Sequence, residues 1–263
     1  MNNMNEIELN AYFDQCLEQC QAKLKLLGPK IQPRSAGSAV ELPIDRDELN
    51  AAIMGSGIVG FLEGMTRRNK RIVKNTYAYA DIASRVLFSE KVARYECFKK
   101  LMFATGWTQY LGAFTQYKSS TSKLTMDNVA LDIVHSAIGG VAGPAGSALK
   151  VVAGKTIEAL KKQPDAVKLF ERHAIEASGA NFGISVCKQD DDAEVTMAVG
   201  TVRYDTSANN TKVIFVEWNS SDVEIYQGKA LFTIHEEDLR KEAECIKFLD
   251  DLREAIFMEF SPV

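Results

Sequence analysis

The 263-residue chain contains no uninterrupted apolar window of about eighteen residues, the length a helix needs to cross a hydrocarbon core of roughly 30 Å. That excludes a constitutive transmembrane helix. The opening stretch, MNNMNEIELNAYF, lacks a basic segment followed by an apolar run, so a Sec-type signal peptide is not expected. Asn2 stands where N-myristoylation needs glycine. The expectation is a chain made in the cytoplasm, with release or membrane attachment by another route.

Chemistry-bearing residues are also sparse. Three histidines and five cysteines form no zinc-type set. Cys16 and Cys20 lie four apart on an expected helix, but nothing nearby completes four ligands. An odd cysteine count without framework spacing predicts thiols that are reduced or singly modified. No G-x-S-x-G occurs, and Gly154-Lys155-Thr156 lacks the first P-loop glycine, its place being taken by Leu149. Asp190-Asp191-Asp192 lacks EF-hand spacing and reads as a solvated turn. The sequence therefore predicts no metal site and no cofactor, and it points to no enzyme class. A thiol site at Cys187, with His235 or His173, is the residual enzymatic alternative. A net charge of −4 and a pI near 5.6 supply no global attraction to nucleic acid or anionic lipid, and no nucleic-acid partner is expected.

What is present is an ordinary globular balance, 46% hydrophobic and 25% charged, with one distinctive stretch. In residues 128–154, NVALDIVHSAIGGVAGPAGSALKVVAG, the ionisable side chains are Asp132, His135 and Lys150. It reads as two apolar helical arms meeting at Gly143-Pro144. Each arm, at about twelve residues, is too short to span a bilayer. Two roles are compatible: a hairpin buried on a sheet, or an element that meets lipid at the interface. Val129, Ile133, Ile138, Val141, Gly143, Pro144 and Val151 are the candidate lipid contacts. Arg67, Arg68, Lys70, Arg71 and Lys74 form the one dense basic run. It is either a solvated helix face or a headgroup contact, each charge contributing about 1 kcal/mol near an anionic surface.

Periodicity organises the rest. Residues 6–27 repeat apolar side chains at i, i+3 and i+4 and stop at Gly28-Pro29. A second helix capped by Asp45 or Asp47 is expected through Leu49, Ile53 and Phe61, and helix continues over 72–115. Residues 55–61 join the hairpin as a second candidate lipid-responsive element. Beyond Gly179 the period becomes two, in NFGISVCK, EVTMAVGTVRY, KVIFVEW and DVEIYQGKALFTI. These predict a four-stranded antiparallel meander, apolar on both faces and so covered on both sides. A helix over 236–260 closes the chain. The expected fold is α+β in one domain, residues 1–263: mainly helical over 1–178, sheet over 180–235, then the closing helix.

A helical first part, a C-terminal antiparallel sheet and a cysteine early in that sheet, in NFGISVCKQ, resemble the Cyt-cytolysin-like α/β proteins, the group of the bacterial virulence factor Evf. The resemblance implies a bacterial toxin or virulence factor that binds lipid membranes. It also implies a palmitoylated cysteine, placed at Cys187 by its position in the sheet. The residues alone leave Cys187 open between core thiol and acyl carrier. The principal alternative is a non-catalytic module with a protein partner.

Overall fold

The computed structural model describes residues 4–27, 40–43, 49–54, 56–176, 179–206 and 212–257. The stop at Gly28-Pro29, the caps at Asp45 or Asp47, Gly55 and the turn over 207–210 lie outside these. The elements in order are α1 (Glu6–Leu27), β1 (Val40–Pro43), β2 (Leu49–Met54), β3 (Gly57–Leu62), α2 (Arg67–Leu87), α3 (Lys91–Ala104), β4 (Thr108–Gln116) and β5 (Lys123–Thr125). There follow α4 (Met126–Ile138), α5 (Gly143–Lys161), α6 (Pro164–Ala174), β6 (Ile175–Glu176), β7 (Gly179–Gln189), β8 (Val195–Asp205), β9 (Glu217–Asn219), β10 (Glu224–Ile234) and α7 (Glu242–Phe257).

The fold is α+β, built on a mixed eight-stranded sheet of order β1-β2-β3-β7-β8-β10-β4, with β6 paired to β7. Neighbours are antiparallel except β3 with β7, where Ile58 lies opposite Ile184 and Phe61 opposite Cys187. Strand alternation divides the side chains between two cores. Ile58, Phe182, Ile184, Val186, Ala198, Val202 and Leu231 pack beneath α4, α5 and α6. Val59, Phe61, Cys187, Met197, Val199 and Phe232 pack beneath α1, α2, α3 and α7. The expectation of a sheet covered on both sides holds.

Several expected elements take a different form. The helix expected through Leu49, Ile53 and Phe61 is the β2–β3 hairpin. Residues 51–54 and 57–61 are buried on both faces, so the hairpin's strands are apolar apart from Asn50, and periodicity over six residues cannot separate such a strand from a helix. As interior strand β3, residues 57–61 have no face toward solvent. The helix expected over 72–115 ends at Ala104, and Tyr110 lies on edge strand β4. KVIFVEW does not enter the main sheet. Val213 and Ile214 are buried in irregular chain held by Glu171 Oε1 and the Asp127 amide, and Glu217–Asn219 pairs with β5. The expected meander survives as β7-β8-β10 at the centre of a wider sheet. A 3-10 turn, Glu236–Asp238, precedes the last helix.

The helices sit unusually close to the strands. A Cβ built at Gly200 on β8 would lie 2.8 Å from the Val134 nitrogen of α4, and one at Gly60 on β3 would lie 2.2 Å from Thr156 Oγ1 of α5. These glycines let the α4–α5 hairpin lie on the sheet. Gly200→Ala should therefore lower stability by about 1–3 kcal/mol. Gly154→Ala, in a helix interior with open space around it, should raise it by about 0.5–1 kcal/mol. Denaturant midpoints check both; an unchanged midpoint for Gly200→Ala contradicts the close approach.

Candidate functional site

The apolar hairpin forms as two helices, α4 and α5, linked by residues 139–142. Gly143 has φ +70, a left-handed conformation that favours glycine, and Pro144 occupies the first turn of α5, where its missing N–H costs nothing. The inner faces are sealed: Val129, Ile133 and Ile138 are buried, as are Leu149, Val152 and Ile157. Lifting the hairpin off would expose these six side chains at about 1.5–3 kcal/mol each, or roughly 9–18 kcal/mol together. That is comparable with the typical whole stability of a domain, about 5–15 kcal/mol. No helix of the described residues is long and apolar enough to cross a membrane.

The hairpin is open at its turn. Gly139, Gly140, Ala142, Gly143 and Pro144 are exposed and Val141 is half-buried, with no charge among them. The stripe continues along the outer face of α5 through Ser147 to Val151, which is 55% exposed. The composition that marked the hairpin thus divides between a sealed inner face and a bare outer end.

The basic run lies elsewhere. It forms the start of α2, on the opposite face of the sheet, where the Thr66 amide donates to Gln189 Oε1 (3.0 Å) and Asn69 Nδ2 donates to the same oxygen (2.8 Å). Arg68 is committed to Glu236 (2.8 Å) and Glu242 (2.7 Å), partners that hold its guanidinium charge firmly. Lys70 and Lys74 stand 6.0 and 5.9 Å from the Phe61 ring centroid. Arg67 and Arg71 are exposed. The adjoining turns carry Asp190, Asp191, Asp192, Glu236, Glu237 and Asp238. Acidic side chains thus offset this run locally.

Cys187 is buried on the same face as the basic run, opposite Phe61 on β3 and Met197 on β8. Burial alone pushes its thiol well above the ordinary value, and the thiolate is the nucleophile in thiol chemistry. A cleft on this side, lined by Tyr77, Asp81, Arg94, Tyr95 and Arg203, has a volume of about 40 Å³ and is not lined by Cys187. It has room for water, not for an acyl chain. Acylation of Cys187 therefore requires β7 to be uncovered. The structure does not bring the three sets of candidate residues together: Cys187 and the basic run share one face, and the hairpin occupies the other.

Sequence reasoning passed over the lysines of α5. Lys150, Lys155 and Lys161, with Lys162 at the C-cap, are exposed on or beside the outer surface of this helix, against one exposed carboxylate, Glu158. The signal lies in the spacing, but these charges are dispersed along the helix, unlike the dense run at 67–74. Among the described residues no group of histidine, cysteine and carboxylate side chains could hold a metal ion.

No protein-family model matches the chain, and no curated protein matches its sequence. Solved structures similar to it include the following two. One, named delta-endotoxin, is 12% identical over 70% of this chain and 85% of its own, with a TM-score of 0.41. The other, named the Evf virulence factor, is 11% identical over 76% of this chain and 78% of its own, with a TM-score of 0.31. At these values the functional reading rests on the chain's own geometry. For Cys187 that geometry makes a direct prediction. Iodoacetamide should leave Cys187 unmodified in the folded protein and alkylate it after denaturation, as read by peptide mass spectrometry. Rapid modification of the native thiol contradicts the burial argument.

Proposed function

We propose that this protein is a membrane-associating protein of the toxin or virulence-factor type that docks on lipid through the α4–α5 turn while the hairpin stays on the sheet. The observation that carries the reading is the uncharged, exposed end formed by residues 139–144 together with exposed Val151. A folded soluble surface gains nothing from this end, whereas the interfacial region of a bilayer accommodates it. Lys150 and Lys155 lie farther along the same helix, where they would meet headgroups as the turn enters. In this reading the basic run at the start of α2 is a secondary contact.

The magnitude is modest. Val141 and Val151, each already partly covered, contribute about half of the roughly 1.5–3 kcal/mol of a full burial, and two lysines about 1 kcal/mol each near anionic lipid. The sum, on the order of 3–5 kcal/mol, corresponds to about millimolar binding. Attachment is therefore reversible and salt-sensitive. A second reading, a protein-interaction module, is favoured by edge strand β4, which pairs on one side with β10 and exposes Tyr110 to 68%.

Co-sedimentation with vesicles of phosphatidylcholine, with and without about a third phosphatidylserine, tests the reading. Binding should appear on the anionic vesicles, weaken with salt, and fall by about tenfold or more in Val141→Glu and Val151→Glu with folding retained. Dye release from the same vesicles separates a membrane-disrupting toxin from a peripheral binder. No sedimentation on either composition overturns the reading and moves the interaction module to first place.

A further inference from the structure

Beneath α2 and α3 the sheet carries a trough. Gly57, Gly183, Thr201, Gly228 and Phe114 lie side by side across β3, β7, β8, β10 and β4. The glycines leave space that aromatic rings enter: a Cβ at Gly183 would lie 2.7 Å from Tyr77 Oη, and one at Gly228 would lie 2.8 Å from Tyr95 Cε2. Beside these rings, α2, α3 and the strands enclose the cleft of about 40 Å³. One water takes about 10–15 Å³ on this scale, so the cleft has room for about three waters or one small ion. Its wall is unlike the core around it. Among the described residues three cations line it, Lys91 and Arg94 from α3 and Arg203 from β8, against one carboxylate, Asp81 of α2. Asp81 is engaged by Arg85 Nε at 3.2 Å and accepts from Ser56 Oγ at 3.4 Å.

We propose that this cleft binds one small tetrahedral oxyanion, a phosphate or sulfate group, with Arg94 at its base and Arg203 and Lys91 at its rim. Lys91 and Arg203 are half-buried, whereas Arg94 is 7% exposed, so positive charge runs from the rim inward. Fixed contacts hold the rim cations in place. Lys91 pairs with Asp205 and lies 4.0 Å from the Tyr226 ring centroid, and Arg203 Nη1 donates to the Ser89 carbonyl at 3.3 Å. A guanidinium keeps its charge at any depth, and among the rings of Tyr95, Phe98 and Phe114 that charge is screened far less than in water. Its planar fork of N–H groups matches two oxygens of a phosphate or sulfate at once. The hydroxyls of Ser84 and Thr201 donate to the carbonyls of Asp81 and Gly228, so recognition falls to the guanidinium and ammonium N–H groups. The class of ligand follows from charge, size and shape. Three lining cations repel a metal ion, the volume rejects a sugar or nucleoside, and the forks favour paired oxygens over a halide. The cleft lies on the face of the sheet opposite the hairpin turn, so the assignment is independent of the lipid reading.

The test titrates the full chain with inorganic phosphate and with sulfate in a calorimeter at constant ionic strength, with glycerol 3-phosphate as the esterified counterpart. One equivalent should bind, phosphate and sulfate should displace one another, and the melting midpoint should rise with phosphate but not with chloride at equal ionic strength. An ester that binds more tightly than the free ion assigns the phosphoryl group of a larger molecule as the occupant; the reverse order assigns the free ion. Arg203→Gln, at the half-buried rim, should weaken binding by about tenfold or more. Arg94→Met, which keeps an apolar stem, should abolish it with the far-ultraviolet circular dichroism unchanged. Should Arg94→Met fail to fold, Arg203→Gln and Lys91→Gln carry the test. Lys168→Gln, 73% exposed on α6, should bind as the parent chain does. No saturable binding to the parent chain, or an affinity unchanged in Arg203→Gln and Lys91→Gln, overturns the proposal.

Discussion

The structure depends on burying one sheet from both sides. β7 shows how: Phe182, Ile184 and Val186 enter the core beneath α4, α5 and α6, whereas Gly183, Ser185 and Cys187 point beneath α1, α2 and α3. A sheet with two apolar faces cannot remain in water with either face bare. Much of the rest of the chain is helix that supplies those two covers. The α4–α5 hairpin is one of them, and its glycine- and alanine-rich composition suits a helix pair whose backbone touches strand residues such as Gly200.

This constraint changes what the hairpin can do. Its large aliphatic side chains are already spent on the sheet, and releasing them costs as much as unfolding a typical domain. What remains for an outside surface is the turn at 139–144, Val151 and the dispersed lysines of α5. The feature is smaller than the sequence suggested, and better defined. In the proposed reading it carries shallow, reversible docking. The other face of the sheet holds a sealed thiol, Cys187, at its centre.

Where local periodicity and burial agreed, the elements were legible from sequence. The repeat of Phe13, Cys16 and Cys20 marked α1, and the alternation around Cys187 assigned its face. Legibility failed where burial on both faces erased the period. Residues 51–54 and 57–61 are continuously apolar because two cores claim them. Val213 and Ile214 are β-branched residues drawn into the core by tertiary contacts without ladder pairing. The candidate site was legible in its composition but not in its exposure. Nothing in a sequence tells that Ile138 faces the sheet while Val151 faces out, because this depends on how separate elements dock.

The central claim is that the hairpin can reach lipid without leaving the sheet. A Cβ at Gly140 would lie 3.4 Å from Leu231 Cδ2, so the turn packs on β10 at this point, and a cysteine at each position would pin it once mass spectrometry confirms the cross-link. The decisive measurement compares vesicle binding of the Gly140→Cys, Leu231→Cys variant, oxidised and reduced. Equal affinity in the two states is the predicted result. Binding that disappears on oxidation and returns on reduction would show that the hairpin must lift away, and would contradict the account.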